Sequence, residues 1–481
     1  MRQFKVLGVV VAAALLAVGC GGGGGEGNQA PAISYTAVVS FGDSLTDAGT
    51  YGPGLINAGR LANKSGGGMF TINGISGSVG SNPVPSYNWA QLISAATVGK
   101  VNCAARIGGF GTPITVVPGC TNYGQGGSRI TNPAGTNNAV GVGNISGPLT
   151  EPVVTQIANY IADGGSFSDK QLFTVLAGAN EIFALTAQLK ADANAVGSAA
   201  FVQSLISQLV AGAPIANQIA AQGAIGLAVQ TEAAKPTATP TTIVTAAVTA
   251  AATHAGMNAY TNTAVANAAA IGAAAGVAGA TAGTTYAATT GANIAVSGMA
   301  TAATTLAGYV KNMVAQGARH VVVVNLPDVS QTPFATSTIT VNNGVTDNSQ
   351  QQLVYAMTTT FNQALAAALG ATHGVPANGV LLVDAFSENQ RQIANPAHYA
   401  LTNVKDVACN PALTPVNPAD ATTASSLVCT TNTLVTSAGG NAVTQDQALH
   451  FLFADSVHPT PYGHKLLAQY VTKAMVIAGW L

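Results

Sequence analysis

Two short stretches near opposite ends of the chain hold the residue types that acyl transfer requires. In FGDSLTDAG, residues 41–49, Ser44 lies between Asp43 and Leu45, with Asp47 three positions further on and glycines on both sides. In DSVHPT, residues 455–460, Asp455 precedes His458 by three positions. A serine hydroxyl is a weak nucleophile until a base takes its proton and donors stabilise the oxyanion that forms. A D-x-x-H turn can bring a carboxylate to imidazole Nδ1 and leave Nε2 facing the hydroxyl. Either stretch alone reads as a polar turn, since Gly, Asp and Ser are ordinary turn residues. Asp43 and Asp47 read as turn or helix N-terminal residues.

The other chemistry-bearing residues point away from metals and cofactors. His450 and His464 flank Asp455, but their spacing is no recognised ligand pattern, and none of the cysteines has metal-ligand spacing. Charged residues make up only 7% of the 481 and the net charge is −1. Neither nucleic acid nor an anionic membrane surface is favoured as an electrostatic partner by that balance.

The elements that must position these residues are legible as apolar runs. ISYTAVVSF (33–41), FTVLAGANE (173–181), RHVVVVNLPD (319–328) and GVLLVDAFS (379–387) read as buried strands. Helical patterns separate them, in YNWAQLISAATV, TLAGYVKNMVAQGA and QQQLVYAMTTTFNQALAAALGA, and GHKLLAQYVTKAMVIAGW closes the chain. Continuous Val/Leu strands alternating with helices predict an α/β, doubly wound, three-layer α/β/α sandwich on a central parallel sheet. Residues 186–302 are an Ala/Thr-rich tract, expected as a mainly helical insertion with KPTATPTT (235–242) between two helical arms. Because it leaves the chain near Asn180, this insertion is a candidate lid or substrate-binding surface.

The N-terminus sets the expected compartment. MRQFKVLGVVVAAALLAVGC has a basic start, an apolar run and small residues before Cys20, the pattern of an export signal over residues 1–20. A flexible Gly-rich tether follows over 21–34 and leads into the main domain, 35–481. The signal resembles a bacterial lipoprotein signal, with Cys20 as the lipid-bearing first residue and Ala17 where leucine is usual. That resemblance implies a cell-envelope protein, held at the outer membrane by its lipid or else secreted, with no other membrane contact. Four further cysteines, Cys103, Cys120, Cys409 and Cys429, suit two disulfides in an oxidising compartment. Three connectivities are open; local pairing, which closes two short loops, is the expectation.

FGDSLTDAG near the start and DSVHPT near the end together resemble the GDSL, or SGNH, hydrolase family, in its secreted esterase/lipase branch. NYGQGGSRI (122–130) is similar to the family's second block and LAGANE (176–181) to its third, and the four blocks run in order. The resemblance implies an SGNH-like fold and a serine esterase with Ser44, Asp455 and His458 as triad. It also implies an oxyanion hole from the Ser44 and Gly127 backbone N–H groups and the Asn180 amide, without metal or cofactor. Gly126 is a competing alignment for Gly127, and Glu181 stands where the third block usually has aspartate. The implied substrate is an ester of a lipid, an acylated glycan or a polyester. Acyl transfer to another alcohol, or a non-catalytic surface lipoprotein, are the alternatives.

Overall fold

The four apolar runs form one sheet in a computed structural model, which describes residues 33–57, 68–74, 86–135, 150–254, 264–342, 345–417 and 420–481. The leader, Cys20 and nearly all of the tether lie outside the described residues. The strands are β1 (Ala37–Gly42), β2 (Gln171–Leu176), β3 (Val321–Val324) and β4 (Val380–Val383). They pair in chain order, and every pair is parallel.

Helices cover both faces of the sheet, and others extend beyond it. The helices are α1 (Trp89–Val98), α2 (Val153–Ala162), α3 (Ala179–Ala211), α4 (Gln218–Ala233), α5 (Pro240–Thr253), α6 (Ala268–Tyr286), α7 (Ala292–Ala315), α8 (Ser349–Leu369), α9 (Ala385–Ala394) and α10 (Pro461–Ile477). Alternate strand residues enter two cores, because successive side chains point to opposite faces. Phe41, Phe173, Val175 and Val323 pack with Tyr160 of α2, Leu306 of α7 and Phe361 of α8. Val38, Leu172, Val322 and Leu381 pack with Trp89 of α1 and Val471 of α10. Burial on both faces explains why the strands read as unbroken apolar runs. The expected three-layer α/β/α architecture is the one observed.

The Ala/Thr-rich tract is helical, and boundaries at 186 and 302 fall inside α3 and α7. α3 runs 33 residues without a break, a length of about 50 Å. Its first turns sit on the main core through Ile182, whereas Leu205 and Leu209 build a separate core with Ile225 of α4 and Val248 of α5. α3 and α6 approach closely because glycines face each other: a Cβ on Gly197 would lie 2.9 Å from the Gly279 carbonyl oxygen. From residue 193 to 310 the only charged side chains are Glu232 and Lys235, which pair with each other.

Two further strands, β5 (Asn403–Val407) and β6 (Phe451–Phe453), pair in parallel as a small separate sheet. β6 leads directly into Asp455. The disulfides are Cys103–Cys120 and Cys409–Cys429, the local pairing, closing loops of 17 and 20 residues.

Candidate active site

Ser44 stands where β1 gives way to a single helical turn, with Thr46 and Asp47 N–H groups both donating to the Asp43 carbonyl. Gly42 makes the bend possible. Its φ is 157°, and a Cβ there would lie 2.2 Å from the Leu176 carbonyl oxygen of β2. Gln156 of α2 holds the same residue from the side: Gly42 N–H donates to Oε1 at 2.9 Å and Nε2 donates to Gly42 O at 2.8 Å. Downstream, Asn88 and Asn122 side-chain amides both donate to the Thr46 carbonyl. Asp43, Leu45, Thr46 and Asp47 are buried while Ser44 is partly open. The turn therefore presents one hydroxyl and hides its neighbours.

The second stretch meets the first across 414 positions of sequence. Ser44 Oγ and His458 Nε2 are 2.8 Å apart, and His458 Nδ1 lies 2.8 Å from both oxygens of Asp455. The turn is self-capped, since Asp455 Oδ1 also accepts the N–H groups of Val457 at 3.0 Å and His458 at 2.9 Å. Just beyond, Thr460 Oγ1 caps α10 through the Gly463 N–H, and Pro461 fills the first helical position. Burial alone would raise the Asp455 carboxyl. The charge of His458 and its hydrogen bonds from His458, Ser426 and Val457 outweigh burial and hold it well below the usual carboxylate range. Such an array can pass the serine proton to the imidazole and stabilise the resulting cation.

The candidate oxyanion donors lie on turns that are tied to one another by hydrogen bonds. Gly126 and Gly127 form a turn, and Asp47 decides which N–H is available: its Oδ2 accepts the Gly126 N–H at 2.8 Å. The Ser44 and Gly127 N–H groups make no hydrogen bond to another described residue. Gly127 has φ 80°, a left-handed conformation suited to glycine. Asn180, in the first turn of α3, donates from Nδ2 to the Ser128 carbonyl at 3.0 Å, beside Gly127. Glu181 then clamps the same loop: Arg129 Nε donates to Oε2 at 2.8 Å and the Ile130 N–H to Oε1 at 3.0 Å. Glutamate thus serves in the third block by reaching across to the second.

Of the residues flanking the nucleophile, Asp47 accepts the Gly49 and Thr50 N–H groups besides that of Gly126. Asp43 Oδ1 accepts the Leu45 N–H at 3.1 Å, while Oδ2 is buried without a hydrogen bond among the described residues. Burial raises Asp43 to about 6 against the opposing pull of the Leu45 N–H and His458. His464 is fully buried, pushed down to about 3 by burial, and holds a backbone hydrogen bond with Phe70. His450 packs its ring on Tyr462.

Ser44 and His458 belong to the wall of a narrow cleft of about 80 Å³. Its apolar lining includes Leu45, Phe183, Val329, Leu452, Phe453 and Leu467, and its polar lining includes Asp328, Glu388, Asn389 and Gln392. Among the described residues of α3 to α7, Ala179 and Phe183 in the first turns of α3 border it. Among the described residues no three His, Cys, Asp or Glu side chains group as a metal site.

The structure brings Ser44, Asp455 and His458 into contact, and the second and third blocks to each other through Asn180–Ser128 and Glu181–Ile130. Asp455 and His458 follow β6, outside the central sheet. Gln156, Phe70 and Ser426 are absent from the sequence reading. Phe70 lies with its ring 4.9 Å from that of His458 and fills the space a Cβ on Gly126 would need. No motif carries these contacts.

The family model for the GDSL-like lipase/acylhydrolase matches residues 38–282 and 281–471. The chain belongs to that family, whose activity is hydrolytic and whose fold is the SGNH-like α/β arrangement described above. No curated protein matches the chain.

Proposed function

We propose that the protein is a serine esterase that hydrolyses carboxylic esters through an acyl-enzyme on Ser44. The observation that carries this reading is the unbroken relay from Ser44 Oγ to His458 Nε2 and from His458 Nδ1 to Asp455, each step at 2.8 Å. His458 takes the hydroxyl proton as Oγ attacks the ester carbonyl. The negative charge then develops on the former carbonyl oxygen, met by the Ser44 and Gly127 N–H groups and the Asn180 amide. Collapse breaks the bond to the alcohol, which leaves with the proton that His458 had taken. A water molecule repeats the sequence, releasing the acid and restoring Ser44.

The apolar side of the cleft supports an aliphatic acyl group, as found in a lipid or polyester; an acylated glycan would present the same ester with a polar alcohol. Export is supported by the signal-like residues 1–20 and by two disulfides, and lipid attachment at Cys20 would retain the enzyme at the outer membrane or, without it, leave it secreted. The test is hydrolysis of aryl esters of increasing acyl length by wild type and Ser44→Ala. Hydrolysis that vanishes in the variant supports the reading, and equal rates in both overturn it.

A further inference from the structure

Asp455 Oδ1 accepts two backbone N–H groups from within its own turn, whereas Oδ2 has only the imidazole contact from there. Among the described residues, the backbone N–H donated to Oδ2 comes from Ser426, at 2.9 Å and 29 positions away in sequence. The hydroxyl of the same residue lies 3.3 Å from His458 Nδ1, a longer contact beside the two to Asp455. Ser426 is fully buried. We propose that Ser426 is a positioning residue for the Asp455–His458 pair, holding the carboxylate through its N–H and the imidazole through its hydroxyl. This rests on the esterase reading for its catalytic consequence, but not for the contacts.

The loop bearing Ser426 is built to stay in place. Ser426–Val428 form a 3-10 turn, and Cys429 at its end is disulfide-bonded to Cys409. Cys409 N–H donates to the Ala454 carbonyl at 2.9 Å, so the disulfide joins the Ser426 turn to the residue just before Asp455. Asn73 braces the turn from the far side, its Nδ2 donating to the carbonyls of Ser426 at 2.9 Å and Cys429 at 3.1 Å. The loop closed by the disulfide is therefore what brings a donor to Oδ2. Without it a buried carboxylate oxygen would keep only its contact with the imidazole, and the carboxylate would be free to rotate away from bidentate alignment.

The groups facing His458 are Asp455, Ser426, Ser44 and the Phe70 ring, with Asp43 and His464 close enough to act through charge. Only Ser426 among them has no assigned part in the proton relay, in packing or in the turn of Ser44.

Ser426→Ala removes the hydroxyl and keeps the N–H, and Ser426→Thr restores a hydroxyl. One lost neutral hydrogen bond corresponds to roughly a 3- to 10-fold fall in kcat with KM unchanged. The His458 Nδ1–H resonance, read by proton NMR, should shift in Ser426→Ala and return toward wild type in Ser426→Thr. That resonance is read whether or not an ester is hydrolysed, and Ser44→Ala run in parallel tests the esterase reading separately. Unchanged kcat and an unshifted Nδ1–H signal in Ser426→Ala overturn the proposal. So does an equal fall in both variants that follows their thermal stability, since that marks a packing role.

Discussion

The Gly126 N–H donates to Asp47 Oδ2 at 2.8 Å, so the carboxylate three residues after Ser44 fixes the turn that carries Gly127. The other oxygen of Asp47 accepts the Gly49 and Thr50 N–H groups. One side chain therefore ties the nucleophile's turn to the candidate oxyanion turn. Asp47→Asn leaves a single acceptor oxygen for three donors. It is expected to cost about 1–3 kcal/mol of stability and to lower kcat more than it raises KM. Urea denaturation and steady-state kinetics on one preparation check both parts, and wild-type kcat would refute the link.

Asn180 sits beside that turn, donating to Ser128. Asn180→Ala is expected to slow ester hydrolysis by about 100- to 1000-fold, the usual effect of removing one oxyanion donor. Asp455→Asn should cost more, on the order of 10⁴-fold in kcat, because the wrong imidazole tautomer is then favoured. Steady-state rates rank the two variants, and the reverse order would contradict the roles assigned.

The pH dependence of stability separates two of the buried aspartates, Asp43 and Asp455. Burial raises Asp43 to about 6, so between about pH 4 and 6 the folded chain keeps a proton that the unfolded chain has released. Its contribution to stability therefore falls as pH rises through that window. Asp455 is held below its ordinary range and acts in the opposite sense, losing its contribution as pH falls below that range. Asp43→Asn should gain stability relative to wild type as pH rises from about 4 to about 7. Urea midpoints across that range check the trend, and a flat difference would contradict it.

The cleft wall sets an expectation for substrate length. Leu467→Trp adds bulk to the apolar lining beside Ser44, and should depress hydrolysis of long acyl esters before that of acetyl esters. A chain-length series of kcat/KM reads this directly; a uniform loss across the series would place the acyl group elsewhere.

The distal part of the helical tract has its own core, and none of its described residues borders the cleft. Replacing residues 201–275 by a short Gly/Ser link across the α3–α6 contact should leave hydrolysis of short soluble esters unchanged. Lost activity in a variant with wild-type circular dichroism would make the distal helices part of the active unit.

What the sequence made legible was what has local pattern. The four strands stood out as Val/Leu runs because both their faces are buried, and Ser44 and His458 stood out because short motifs surround them. Asp47 and Glu181 were visible as residues but not as clamps, since their partners Gly126 and Ile130 lie 79 and 51 positions away. Ser426, Phe70 and Gln156 carry no motif, and their roles exist only through tertiary contact. The compositional bounds at 186 and 302 fall inside α3 and α7, because Ala-rich sequence continues the helix on both sides of such a border. β6 was hidden for a related reason: three apolar residues are too few to show a period.

The central claim is that Ser44 carries the acyl group. Wild-type protein mixed with a slowly deacylating aryl ester, quenched in acid and digested, can be read by mass spectrometry on the peptide spanning Ser44. The account expects the added acyl mass on Ser44, with Asp455→Asn acquiring it more slowly and Ser44→Ala not at all. Turnover of the ester with the label absent from Ser44, or found on another residue, would contradict it.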